Sequence, residues 1–437
     1  MKKIKCLCWL LTIVIALTVG GSKAVAASGR LDTSFGRDGK LTLPSSEGWV
    51  TDSALLPDGG VIVLVNGHLL ALLPSGKIDR SFGQAGRAEL AKPVGEHFTD
   101  FEQILVDSAG RLVVVGICDF SEGSGVHHLI ETQELPRQIL VQRYLPDGRL
   151  DSTFGDGGTV LTDFGLPPAR PGLTPHLFYP SATVGQDDKI LITGTRKLEQ
   201  GEEAFVGRLT SDGKSDYSFA PGGGVSLKGF RNVGKPVTDD IGEVWFIAGH
   251  GFRKRDLLRL QPDPLEPTVV SDRPLTGRAL WETPTFDRAG RFLYANQLLG
   301  SREQSLENGV QIKRLQPNAA PDPSFGNHGA VAFRFPRLTA TQLATDARGR
   351  VLVAMELNTL YRPFHVQPKP TTLLLMRLHL NGMVDRRFGR RGLVQIPLGD
   401  SEQGGSFQGL DVLGKTALIS AVWCGGPCRS VLTRIVL

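Results

Sequence analysis

Short apolar runs alternate with polar turn clusters along the whole chain, and the apolar runs have the length of strands rather than helices. Asp107-Ser-Ala-Gly-Arg-Leu-Val-Val-Val-Gly116, Asp287-Arg-Ala-Gly-Arg-Phe-Leu-Tyr294 and Asp346-Ala-Arg-Gly-Arg-Val-Leu-Val-Ala354 each place an Asp/Gly turn before a β-rich run, which is a hairpin signal. Downstream of such hairpins come strands with polar interruptions: LLALLP, ILVQRYLP, FVGRLTS, LLRLQP, QIKRLQP and LLLMRLHL. After these strands a turn pattern recurs, seen most fully in Pro146 to Gly158. Its other copies are GRLDTSFGRDG (Gly29 to Gly39), GKIDRSFGQAG (Gly76 to Gly86), GKSDYSFAPGG (Gly213 to Gly223), AAPDPSFGNHG (Ala319 to Gly329) and GMVDRRFGRRG (Gly382 to Gly392).

The residue types in this pattern have readable physics. Asp147-Gly148 is a turn pair, because Asp bonds back to nearby backbone and Gly accepts a positive φ. Asp151 and its equivalents can cap the next bend in the same way. Phe35, Phe82, Phe154, Phe219, Phe325 and Phe388 are large apolar anchors in otherwise polar loops, placed to wedge between neighbouring units. Gly155 and Gly158 let the chain reverse into the next strand.

The predicted unit is four strands: A, a tight turn, B, a variable loop, C, the repeated turn, and D. Consecutive copies lie 47 to 72 residues apart where none is missing, which is propeller-blade spacing with insertions. Seven C strands are predicted, near Leu70, Val141, Val206, Leu258, Ile312, Leu375 and Leu432. The last ends the chain without its D strand, while the first repeat copy offers a D strand with nothing before it. These two half-repeats predict a closed ring, because a blade shared between the termini removes the open edges. The expected fold is therefore an all-β, seven-bladed β-propeller of four-stranded blades, spanning residues 27–437 as one domain.

These repeats resemble the bacterial delta-60 repeat family, whose units carry an Asp-Gly-x-Leu-Asp-x-Ser-Phe-Gly signature. The resemblance covers nearly all of the chain after residue 26, and it departs at Gln261 to Pro267, where the Ser-Phe-Gly is missing. It implies a propeller-like fold in exported bacterial proteins and brings no activity or catalytic residues with it.

Residues 1–26 read as a secretory signal. Lys2, Lys3 and Lys5 form a basic start, Leu10 to Val19 are nearly all apolar, and Ala24-Val25-Ala26 is a small-x-small cleavage site. The apolar run is shorter than the ~20 residues a membrane span needs, so no transmembrane segment is expected after cleavage. The protein is then secreted, periplasmic or displayed at the cell surface. Removing the four lysines of this segment takes the net charge from +5 to about +1, too balanced to point to nucleic acid or an anionic membrane.

Three cysteines remain. Cys424 and Cys428 flank a Gly-Gly-Pro turn, and in an exported chain they are candidates for a local disulfide. Cys118 is placed at the start of a B–C loop as a free or buried thiol. No cofactor is implied. Cys-x₃-Cys without nearby His is a poor zinc site. His127-His128-x-x-Glu131 has no helix or third ligand, and Gly404 to Gly409 misses the spacing of a nucleophile elbow. Gly222 to Gly224 precedes no helix that could bind phosphate. The many carboxylates at turns read as turn caps.

Loop lengths are uneven. The A–B turns are tight, while Asp119 to Gln138, Gln297 to Asn308 and Asn358 to Thr371 are long B–C loops, and Gly165 to Leu177 is a long D–A loop. In an up-and-down blade these emerge on one face, where repeat proteins place binding. Tyr361, Arg362, Phe364 and His365 put aromatic and cationic groups in one such loop. The expected function is a monomeric binding or scaffold module for an unidentified protein or glycan on that face. The alternatives are a polysaccharide hydrolase or lyase with acidic residues near the axis, and a purely structural surface repeat.

Overall fold

The computed structural model describes residues 28–65, 67–96, 98–120, 137–167, 177–251, 254–260, 267–270, 283–298, 309–335, 338–357, 372–398, 405–424 and 428–437. They form seven antiparallel sheets in a ring, a seven-bladed β-propeller, with no α-helix among them. No helix among the described residues is long and apolar enough to cross a membrane.

Each blade runs A to D from the axis outward. Blade 1 is Val50–Leu55, Val61–Val65, His68–Leu72 and Arg87–Glu89. Blade 2 is Phe98–Val106, Leu112–Asp119, Arg137–Tyr144 and Thr159–Thr162. Blade 3 is Leu177–Val184, Ile190–Leu198, Gly201–Leu209 and Gly224–Leu227. Blade 4 has a divided A strand, Asn232–Val233 and Val237–Thr238, followed by Val244–Gly249, Arg255–Leu260 and Pro267–Val269. Blade 5 is Thr285–Phe286, Phe292–Leu298, Gly309–Leu315 and Ala330–Arg334. Blade 6 is Leu338–Thr345, Val351–Leu357, Thr372–Leu378 and Leu393–Pro397. Blade 7 takes A, B and C from Gly405–Leu413, Thr416–Cys424 and Cys428–Val436.

The outer strand of blade 7 comes from the other end of the chain. Lys40 pairs with Thr433, Leu41 with Leu432 and Thr42 with Val431, and Arg30–Leu31 continues the pairing at Val436 and Ile435. The two half-repeats thus close the ring as the pattern predicts. All seven predicted C strands are present. Blade 4 builds a full sheet although its turn lacks the repeated Phe.

The apolar residues sort into seven clusters, one at each blade junction. Stacking many small cores lets a chain of this length fold without one large core. All six repeat phenylalanines are buried, Phe154 at 0% exposure. Each packs under an Arg of its own blade's C strand where one is present: Arg143 lies 4.5 Å above the Phe154 ring and Arg377 4.3 Å above Phe388. That same Arg pairs with the repeat Asp, at 2.7 Å for Arg143–Asp151 and for Arg314–Asp322. The Asp's other oxygen caps the turn: Asp151 Oδ1 accepts the Thr153 backbone N–H at 3.0 Å and its hydroxyl at 2.6 Å.

This clasp also reaches the next blade. Gly155 N–H donates to the Asp212 carbonyl, and Gly83, Gly326, Gly36 and Gly389 make the matching bond to Asp147, Asn381, Ser75 and Ser28. A Cβ at Gly148 would come within 2.9 Å of the Phe82 ring, so the Asp-Gly turn needs its glycine for the fit as well as for its φ of +87°. The polar interruptions of the C strands are these arginines. Two blades show the rule by exception. Blade 1 has Ala71 where the Arg stands elsewhere. In blade 4, Arg259 turns instead to Trp245 and Glu243.

Cys118 requires a correction. It lies inside strand B of blade 2, fully buried against the junction with blade 1, rather than at the start of a loop. The apolar run extends through Ile117-Cys118, and the strand continues because Arg137 and Gln138 supply partners for Asp119 and Cys118.

Candidate functional site

The A strands line the axis, and in blades 1, 2, 5 and 6 one position stitches the strand to the next blade. It lies three residues before the strand's last residue paired with B. In blade 2 this is Gln103, whose amide accepts Ala182 N–H at 2.7 Å and donates to the Ala182 carbonyl at 3.1 Å. In blade 6 it is Gln342, which accepts Leu410 N–H at 2.9 Å. In blade 5 it is Thr283, accepting Leu343 N–H at 3.3 Å. In blade 1 the position is Asp52, whose Oδ2 accepts Ile104 N–H at 3.1 Å and whose Oδ1 accepts Ser53 N–H at 2.8 Å. In blade 4 it is Lys235, in the gap that divides the A strand. A neutral stitch suffices for blades 2, 5 and 6, so a carboxylate and an ammonium at the same place are not required for folding.

Asp411, on the A strand of blade 7, joins them. Burial pushes its carboxyl up to about 7, and the nearby Asp52 charge adds to the shift. Burial pushes Asp52 up to about 6, against the pull of Lys235 and of the N–H groups of Ile104 and Ser53. Lys235 acts on both carboxyls from across the ring. Asp411 Oδ2 and the hydroxyl of Ser420 are both buried without a hydrogen-bond partner. They share the face of blade 7 that turns to blade 1, where Gly409 is paired with Ser420. A Cβ on Gly409 would stand 3.1 Å from Ser420 Oγ and 3.3 Å from Asp52 Oδ1, so the glycine is what lets these groups converge.

A second pair of acids lies on the A strand of blade 2. Glu102 occupies the bulge between Phe101 and Gln103, and burial, with Asp100 beside it, pushes its carboxyl up to about 7. Asp100 is also raised, by burial, against the pull of Arg137. Asp52, Asp100, Glu102 and Asp411 are the carboxyls raised among the described residues, and all four are on axial strands. On the loop-rich face at the start of the A strands, Trp49 is 57% and Tyr179 64% exposed. Tyr179 sits in a bulge with φ +54°, a left-handed conformation costly for a side chain with a Cβ.

Of the residues singled out from sequence, the six phenylalanines prove to be junction anchors. Tyr361, Arg362, Phe364 and His365 lie outside the described residues, as do His127, His128 and Glu131. Cys428 stands opposite Cys424 at the end of the B–C hairpin of blade 7. The axial set was missed, although it leaves a trace. Asp52 and Asp411 fall inside strands rather than in turns, where Asp is depleted. Gly405 to Gly409, part of the run dismissed as a nucleophile elbow, lie within the A strand of blade 7. No group of three or more His, Cys, Asp or Glu side chains among the described residues is placed to hold a metal ion. A cavity of about 770 Å³ opens far from the axis, at the seam where Gly36, Arg37 and Lys40 face Gly76 and Lys77.

No family model matches the chain, and no curated protein is similar to it in sequence. Solved structures share its fold. A polysaccharide lyase, Uly1, superposes with a TM-score of 0.51 at 11% identity, covering 89% of this chain and 90% of its own. A protein of unknown function from Dyadobacter fermentans DSM 18053 gives 0.42 at 13% identity over 78% of this chain and 95% of its own. A puromycin hydrolase gives 0.48 at 12% identity over 86% of this chain and half of its own. At such identities the likeness is one of fold.

Proposed function

We propose that the protein is an exported bacterial propeller that binds a glycan at the axial mouth of its loop-rich face. The observation that carries this is the set of raised carboxyls on the axial strands. Burying acids without full pairing costs stability, and such costs concentrate where a site needs them. Carboxyls and carboxylates at a mouth flanked by exposed Trp49 and Tyr179 match how sugars are held: hydroxyls bonded to acids, ring faces on aromatics. The export signal over residues 1–26, the membership in the delta-60 repeat family and a Cys424–Cys428 bridge belong to the same proposal. Partners on an antiparallel pair have Cα atoms ~4.5–5.5 Å apart, within the ~4.4–6.8 Å a disulfide spans.

Calorimetric titration with neutral and charged oligosaccharides tests it. Saturable binding that weakens in Asp52→Asn and Glu102→Gln, with no loss of melting temperature, is expected; no binding to any of them would contradict it. Replacing residues 358–371 by Asn-Gly asks whether Tyr361 to His365 extend the same site.

A hydrolase is the second possibility, favoured by the paired raised carboxyls, since glycosidases need one acid kept protonated near neutral pH. Release of reducing ends that disappears in Asp411→Asn would establish it. A lyase acting on uronates fits less well. It must offset the substrate's carboxylate with cations, and here acids outnumber Lys235.

A further inference from the structure

The glycan-binding proposal leaves the sugar's chemistry open, and the axial groups narrow it. Two carboxyls, Asp52 from blade 1 and Asp411 from blade 7, share the single ammonium of Lys235 from blade 4. On blade 2, Asp100 feels Arg137, which Asp119 already engages at 3.4 Å, and Glu102 is offset by no cation. With every acid ionised the axis is short of positive charge on both levels. The lower level also holds unmet acceptors. Ser420 is fully buried with its hydroxyl unpaired and meets Asp52 Oδ1 at Gly409, while Asp411 Oδ2 is unpaired two residues along the same strand and feels the Asp52 charge.

We propose, building on the glycan-binding reading, that the axial mouth selects sugars bearing a free primary ammonium, with Asp52, Asp411 and Ser420 at Gly409 as its seat and Asp100 and Glu102 as its approach. An ammonium brings three donors and no acceptor, which matches three acceptor oxygens. It also supplies the missing positive charge, and its bonds to carboxylates are of the charge-assisted kind. Uronate and sulfated chains carry the wrong sign for this mouth.

Proton linkage gives a distinctive readout. Cation binding favours the ionised carboxylates, so it should expel protons from Asp52 and Asp411 near pH 6. Affinity should rise as pH climbs through about 6, where Asp52 ionises, and fall again where the sugar amine gives up its own proton. Asp52, Asp411 and Lys235 act on one another here, with Asp100 and Glu102 on the neighbouring A strand.

The test uses the mature protein and three probes: a glucosamine tetramer, the same tetramer fully N-acetylated, and a uronate tetramer. Calorimetry in buffers of different ionisation enthalpy reads affinity and proton release together. The amine form should bind about tenfold tighter than the acetylated form near pH 6, where the sugar amine still carries its proton, a difference expected of one charge-assisted contact. That preference should vanish in Asp52→Asn and in Gly409→Ala, whose backbone conformation tolerates a Cβ. Glu102→Gln should weaken the preference only in part. Equal binding of the amine and acetylated probes would overturn the ammonium inference and leave glycan binding intact. Preference for the uronate would overturn it as well. Binding of none of the three would remove both proposals.

Discussion

The molecule keeps two populations of aspartates in opposite states. In the clasps between blades, burial alone would raise Asp151, Asp322 and Asp385, yet each is held below the usual carboxylate range. A backbone N–H, joined by a hydroxyl at Asp151 and Asp322, caps one oxygen, and Arg143, Arg314 or Arg377 engages the other. At the axis, Asp52 and Asp411 are half-buried, lack the arginine that each clasp acid has, and are raised instead. The chemistry is the same; the supply of donors differs. A clasp acid stabilises the fold at neutral pH, whereas an axial acid strains it. That contrast separates what the repeat maintains for folding from what one place in the ring maintains for another purpose.

The largest effect should come from breaking a clasp. Phe154→Ala removes a ring buried under Arg143 and against blade 3, and should cost ~3–5 kcal/mol, the usual price of a large core deletion. Urea unfolding measures it, and a loss below ~1 kcal/mol would show that the junction does not depend on the anchor.

The axial acids should behave in the opposite sense. Folding raises their pKa, so their stabilising share is complete below ~4, the unfolded value, and is lost as pH rises through about 6 and about 7. Asp411→Asn should therefore stabilise the protein at pH 8, on the order of 1–3 kcal/mol, and much less at pH 4. Asp52→Asn should do the same more weakly, since its carboxyl is raised less, with Lys235 and two N–H groups favouring its ionised form. Unfolding free energies across that range decide the sign, and a variant less stable at pH 8 than the parent would break the contrast.

The smallest effect belongs to the Cys424–Cys428 pair. It closes a very short loop, so Cys428→Ser should shift stability only slightly. Thiol counting on the unreduced, denatured protein checks the bridge: one reactive thiol, from Cys118, is expected, and three would exclude it.

The clasp was legible in the sequence because it is local and repeated. Asp, Phe and Gly recur within a dozen residues, and turn chemistry fixes most of their roles. Its Arg was visible only as a polar interruption, since pairing with Asp requires the C strand to run back over its own turn. The ring closure was legible from two complementary half-repeats. The axial site was not. Asp52, Lys235 and Asp411 occur once each, far apart in the chain, and meet only after blades 1, 4 and 7 are set around one axis. Even the stitching position changes identity from blade to blade, from Gln103 to Thr283 to Asp52, so no repeat pattern marks it.

The most direct measurement is a pH titration of aspartate side-chain carbons by NMR on protein labelled at Asp, with Asp52→Asn and Asp411→Asn used for assignment. The account predicts two resonances that titrate near 6 and 7 while those of Asp151, Asp322 and Asp385 stay ionised throughout that range. If the Asp52 and Asp411 signals instead titrate together with the clasp aspartates, the axis holds ordinary paired acids and the distinction between the two regions is wrong.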